Sequence, residues 1–318
     1  MMMEHAAGQP FDNELFKNPP ERRQRFYTDL INIHAQLRGL QFHAAGSLMP
    51  SRPGDMSSDP VVVNAILMPI NEIYTQGGYT ASSAPVVSPP TSTAKFVARE
   101  YRLVWDTCLM PMQDPLEEDA KSEIFALHTL QQHTQKQHQH QHQPERFAPT
   151  HTDLRGPNIL LDDEFHITAI IDWEWTVTVP VSFFTPPHLD YCLQRSASRA
   201  PFCPASLSSP SVAVLKEQWL SSDHDLIMHV AQIFQHPYRV EEDFRKLIYP
   251  HLSDRPMDDA ISEFFLSPQR QAELKQRVRN SERYTRYLKE NGLYKLPDLE
   301  KWVAEGRALM ARLKEKDG

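Results

Sequence analysis

Glycine is scarce in this chain: ten residues in 318, against 26 prolines. The ten make no Gly-x-Gly-x-x-Gly, so no glycine-rich phosphate cover of that kind is written in the sequence. Lysine is thin near the start. Lys17 and Lys95 are the only two in the first hundred residues, and neither stands on a strand of Val-Ala-Ile-Lys type. Cysteine is limited to Cys108, Cys192 and Cys203. They form no Cys-x-x-Cys pair and no even framework, which predicts a reduced, intracellular chain, cytoplasmic in location. No run of about 18 apolar residues occurs, so no helical membrane span is expected. The start, Met-Met-Met-Glu-His-Ala-Ala-Gly, lacks the basic and apolar regions of a secretory signal. Positive charge is not in excess either: the net charge is −8. Lys and Arg cluster after Ser267 but alternate with Glu and Asp, the pattern of a solvated helix face. Neither a nucleic-acid nor a membrane partner is expected.

What is present is enough for a folded body. Apolar residues make up 40% of the chain, slightly low, and the prolines suit connectors. Residues 1–18 read as a flexible tail. After Pro19 and Pro20, Phe26, Leu30, Ile33 and Leu37 recur at helical spacing over 21–40. Residues 44–49 and 61–67 have strand character, and 79–93 are loop-like. Helical pattern returns over 92–108, with Phe96, Val97, Tyr101, Leu103 and Val104 on one face. It returns again over 116–131, where Ile124, Phe125, Leu127 and Leu130 follow an acidic first turn. Residues 131–144 are a His/Gln-rich low-complexity insert (His133, His138, His140, His142), read as a surface loop in preference to a metal-binding tract. Further helices are predicted over 211–221, 223–235, 240–251, 256–266, 268–291 and 297–315. A few strands followed by many helices give an α+β, mainly α-helical class.

The informative stretch is 148–174. His151, Asp153 and Asn158 fall on a loop. Ile159-Leu160-Leu161 is a strand, 162–165 a tight turn and 166–171 the return strand, with Asp172 and Glu174 at its end. His151-Thr-Asp153-Leu-Arg155-Gly-Pro-Asn158 matches the His-x-Asp-x-x-x-x-Asn loop of phosphotransferases. The spacing lets one carboxylate face an acceptor hydroxyl while the chain turns back to aim an amide oxygen at Mg²⁺. An acid after the following hairpin then holds the metal from the other side. The loop pattern alone is weak. With a hairpin of the right length and Ile170-Ile171-Asp172-Trp173-Glu174 behind it, the match is specific.

Those residues resemble the aminoglycoside phosphotransferase and choline-kinase-like family, a branch of the protein-kinase-like fold. The wording Thr-Asp-Leu-Arg-Gly-Pro-Asn, then Asp-Trp-Glu-Trp and Phe-Phe-Thr-Pro-Pro, is similar to the fungal set of that family. So are the stretch at 42–49 and Tyr-Arg-Leu at 101–103. The likeness covers roughly Arg22 to Leu266 and is strongest over 148–187. It implies ATP- and Mg²⁺-dependent phosphoryl transfer to a hydroxyl of a small molecule. Asp153 would be the base, Asn158 and Asp172 the metal and nucleotide ligands, and His151 a loop brace. Glu174 would support the loop from outside the ligand set, and Trp173 and Trp175 would pack. Arg155 has two readings, a phosphate contact or an ion pair with Glu174 or Asp153. The acceptor would lie against residues 183–250, where Asp190, Asp223, Asp225, Glu241 and Asp243 could meet a cationic substrate or form a solvated face.

The family's N-terminal lobe is not apparent. The helix at 21–38 resembles the part that follows the hinge, and a kinase N-lobe needs on the order of a hundred residues. The expectation is a C-terminal lobe over 19–266, its β-hairpin carrying the metal site, followed by C-terminal helices over 267–318. The gene or its model would be truncated, or the chain a degenerate paralogue. A catalytically inactive remnant or binding module is then the alternative reading, and the exposed lobe interface could promote self-association or instability.

Overall fold

The computed structural model describes residues 6–11, 20–51, 60–63, 88–137, 145–186 and 209–295. The strands are β1 (Gln9–Pro10), β2 (Gly46–Pro50), β3 (Pro60–Val63), β4 (Phe147–His151), β5 (Ile159–Leu161), β6 (Ile167–Ile170) and β7 (Thr176–Pro180). The helices are α1 (Pro20–Gly39), α2 (Thr93–Cys108), α3 (Glu117–Gln137), α4 (Pro210–Leu220), α5 (Ser222–Gln235), α6 (Val240–Asp243), α7 (Tyr249–Leu252), α8 (Met257–Phe264) and α9 (Pro268–Glu290). The class is mixed and mainly helical, with small antiparallel sheets. One sheet has the order β1-β5-β6 and the other β3-β2-β7-β4.

The chain divides into two compact units, residues 1–108 with 123–260, and residues 109–122 with 261–318. The expected divisions were a tail over 1–18, a lobe over 19–266 and C-terminal helices over 267–318. The difference arises because a segment before α3 docks on α9. Arg277 Nη1 donates to Met110 O at 2.7 Å, Met112 N to Ser281 Oγ at 3.1 Å, and Asp114 N to Thr285 Oγ1 at 2.9 Å. Positions 277, 281 and 285 recur every four residues and so form one helix face.

In the larger unit, α1 runs between two partners. Its buried stripe is Phe26, Tyr27, Leu30, Ile31, His34 and Ala35. Ile33 and Leu37, expected in that stripe, are half-buried. Trp219 of α4 lies 5.8 Å edge-on to His34 and donates its indole N–H to Phe184 O at 2.9 Å. At the opposite end α1 holds the tip of the β5–β6 hairpin. Asp29 accepts from Ile167 N at 3.1 Å and contacts His166 Nδ1 at 2.9 Å, and Arg22 lies 4.9 Å over the Phe165 ring.

The expected tail is not loose over residues 6–11. Gln9 and Pro10 pair with Leu161 and Leu160, and Phe11 N donates to Ile159 O at 2.8 Å. The Phe11 ring is buried and stacks 4.8 Å from Phe26. The expected surface loop at 131–144 is also corrected at its start. α3 continues to Gln137, and the buried Thr134 donates its hydroxyl to Leu130 O at 2.9 Å. Residues 138–144, with His138, His140 and His142, lie outside the described residues. So do Lys17, the loop-like stretch 79–87, most of 61–67 and the helix predicted over 297–315. The helix predicted at 240–251 is α6 and α7 joined by a π-helical stretch, Phe244–Ile248. Pro250 has no N–H to continue an α ladder, and the wider turn accommodates it. Among the described residues no helix is long and apolar enough to cross a membrane.

Candidate active site

The site lies where two antiparallel ladders end against each other. The β4–β7 ladder runs to His151 and Thr176 and is extended by Thr152. The Trp175 carbonyl accepts from Thr152 N at 3.2 Å and from Thr152 Oγ1 at 2.7 Å. The β5–β6 ladder pairs Ile159 with Ile170 and is extended by Ile171 N donating to Asn158 O at 3.0 Å. Residues 153–157 and 172–174 are the segments left between the two ladders, and so are held side by side. β4 and β7 were not foreseen as strands. Pro149 is tolerated because β4 is an edge strand.

His151 is the last residue of β4 and not a loop residue. Asp153 N donates to its Nδ1 at 3.2 Å, so Nε2 carries the proton and donates to Ile171 O at 2.8 Å. One ring thus ties the loop to the hairpin, as a brace does. Asn158 is buried and ends a short 3₁₀ turn, Gly156–Asn158. Its Nδ2 donates to Asp153 O at 2.8 Å and to Asp153 Oδ2 at 3.1 Å. Arg155 Nε stands 3.2 Å from the same Oδ2, one of the pairings considered for it. Both donors sit on Oδ2, and among the described residues Oδ1 has no partner.

Asp172 does not stand at the end of a strand as expected. It adopts the left-handed conformation, φ 64° and ψ 40°, two residues after β6, and Glu174 sits in the following 3₁₀ turn, Trp173–Trp175. Asp is one of the few side chains that enter this region readily. Asp172 and Glu174 are exposed, and neither carboxylate has a hydrogen bond or ion pair with a described residue. Trp173 is 41% exposed, with its indole N–H donating to Ile170 O at 2.7 Å and its ring 5.3 Å edge-on to His151. It covers the brace instead of filling the core.

Among the described residues no group of three or more His, Cys, Asp and Glu side chains could hold a metal by itself. Mg²⁺ at a nucleotide needs less: one or two carboxylates, completed by phosphate and water oxygens. The unpartnered Asp172 carboxylate and Asn158 Oδ1, left over once Nδ2 is spent on Asp153, are hard oxygen donors of that kind.

A cavity of about 230 Å³ opens on the Asp153 side, bordered by Arg155, Thr185, Gln235, His236 and Arg239 among others. Sequence reasoning did not single out Arg239 or His34, which also borders it. His34 is buried, and desolvation pushes its pKa down to about 4, against a smaller upward pull from its hydrogen bond to Leu30 O. The acids expected to meet a cationic acceptor do not border this cavity among the described residues. Asp243 is buried against Arg239 at 2.9 Å and Glu241 pairs with Arg245 at 3.0 Å. Asp190 and the Asp223 side chain lie outside the described residues.

The model of the phosphotransferase enzyme family matches residues 1–182. The chain belongs to this family. The match spans the loop, both ladders and the Asp172 turn. It begins ahead of Arg22, where the resemblance was expected to start, and so takes in β1 and Phe11. It ends before the Leu266 limit. No curated protein and no solved structure matches the chain. Phosphotransferases of this family act on small molecules, generally with ATP and Mg²⁺.

Proposed function

We propose that the chain is an ATP- and Mg²⁺-dependent phosphotransferase acting on a hydroxyl of a small molecule. The observation that carries this reading is the closure of one hydrogen-bonded ring of contacts. His151 links Asp153 N to Ile171 O, and Asn158 links Asp153 to Ile171 N. Asp153, Asn158 and the unpartnered Asp172 are thereby fixed relative to one another. Asp153 Oδ1 accepts the acceptor hydroxyl proton, while Asn158 and Arg155 hold Oδ2. Asn158 and the Asp172 carboxylate would hold Mg²⁺, with Glu174 supporting the turn. When bound, Mg²⁺ supplies neutralisation of the charge on the transferred phosphoryl oxygens. The family match supports the kinase-like C-lobe assignment of these elements, and the Asp-Trp-Glu-Trp wording supports the fungal branch.

A second reading, a catalytically inactive member that only binds, is favoured by one observation. Among the described residues no strand carries a lysine to meet nucleotide phosphates. Lys95 lies on α2. Turnover of Mg·ATP by the purified chain over a panel of small alcohols separates the two. Asp153→Ala is expected to lower turnover roughly 10²–10⁴-fold, the usual worth of a positioned base, with Mg·ATP affinity kept. Turnover unchanged by that substitution contradicts the role of Asp153. Nucleotide binding without turnover on any acceptor supports the inactive reading.

A further inference from the structure

We infer that the acceptor is an alcohol carrying an anionic group, a carboxylate or phosphate, anchored by Arg239, and not a cationic amino sugar or quaternary amine. This rests on the proposed role of the Asp153 loop, since it takes the cavity beside Asp153 as the acceptor site. At about 230 Å³ the cavity is below the roughly 300–1,000 Å³ of drug-sized ligand sites, which fits a small metabolite. Among the described residues its charged border consists of Asp153, Arg155 and Arg239, with His34 held neutral by burial. Asp153 is occupied on one oxygen by Arg155 and Asn158, and among the described residues no second acid borders the cavity to balance a substrate cation. Arg239 is built as an anchor. Its Nη2 donates to Asp243 Oδ1 at 2.9 Å, and that carboxylate side chain is 3% exposed. The pair fixes the guanidinium from behind and leaves further N–H groups of the planar fork for an oxyanion. The neighbouring acids are turned elsewhere, Glu241 to Arg245 at 3.0 Å and Glu242 to Lys246 at 2.6 Å. A hydroxyl at Asp153 and an anion at Arg239 therefore use the two ends of one cavity.

The test is a matched series on a three-carbon skeleton: glycerol, glycerate, glycerol 3-phosphate and 3-amino-1,2-propanediol. Binding to the full chain is measured by ligand-observed NMR without nucleotide, so acceptor recognition is read apart from phosphoryl transfer. Glycerate, glycerol 3-phosphate or both are expected to bind roughly ten-fold or more tightly than glycerol, the usual gain from a charge-assisted contact. The amino compound is expected to bind more weakly than glycerol. Which anion gains more identifies carboxylate or phosphate. Arg239→Gln should erase the gain and Arg239→Lys retain part of it. Because Arg239→Gln removes a charge partner of the buried Asp243, the double substitution Arg239→Gln/Asp243→Asn is made beside it. It should melt near the parent and still lack the anion preference. Equal or tighter binding of the amino compound, or an anion preference that survives in the double variant, overturns the inference. If the preference holds while no alcohol is phosphorylated, the anion site stands and the transferase reading fails. If a cationic alcohol is phosphorylated through Asp153, the transferase reading stands and the anion site fails.

Discussion

Asp172 is where backbone and chemistry can be separated by one substitution. Its left-handed backbone costs an ordinary side chain roughly 1–2 kcal/mol and costs glycine almost nothing. Asp172→Gly should therefore leave stability within about 1 kcal/mol of the parent in urea unfolding, while removing the only carboxylate proposed for the metal. A large destabilisation would mean that the carboxylate is structural. His34 gives a pH signature of a different kind. Its folded pKa of about 4 lies below the ordinary histidine value of 6.5, so the unfolded chain takes up the proton first. Its contribution is complete above pH 6.5 and is lost as the pH falls toward 4. The full difference is about 3 kcal/mol. The drop in melting temperature from pH 7 to pH 5 should be smaller in His34→Gln than in the parent. An equal drop in both would locate the acid sensitivity elsewhere.

At the scale of elements, β1 and the Gly156 turn depend on each other. A Cβ at residue 156 would come 2.6 Å from the Phe11 carbonyl oxygen, closer than packed atoms approach. Gly156→Ala should displace β1 and cost roughly 1–3 kcal/mol, as overpacking does. Phe11→Ala should cost about 3 kcal/mol through the lost stack on Phe26. Because both act on one contact, the double variant should lose less than the sum. Additive losses in denaturant titration would mean that β1 does not seat on the turn.

These elements also mark what the sequence could and could not convey. α2, α3, α4, α5 and α9 were legible because apolar residues at a 3.6 period need only local information. β1 has two residues and no period to detect. β4 and β7 carry Pro149 and Pro180, which read as breakers, and their pairing joins segments more than twenty residues apart. α3's extension through the Gln- and His-rich residues is set by burial of Thr134, which composition does not reveal. At the site, the spacing of Asp153, Asn158 and Asp172 was readable. The choice of Asp153 as Arg155's partner and the left-handed Asp172 depend on where the two ladders end, and that is a tertiary fact.

For the whole molecule, a net charge of −8 surrounds a cavity with two arginines on its border. Anionic acceptors would meet an unfavourable distant field and a favourable local one, so their affinity should respond to salt chiefly through the local contact. In the proposed function Asn158 and Asp172 form a Mg²⁺–nucleotide site. Isothermal titration of Mg·ATP into the full chain and into Asp172→Gly tests it most directly. Saturable, magnesium-dependent binding at millimolar affinity or better is expected in the parent, weakened at least ten-fold in Asp172→Gly. Equal affinity in the two proteins, or no binding to the parent at millimolar Mg·ATP, would contradict it.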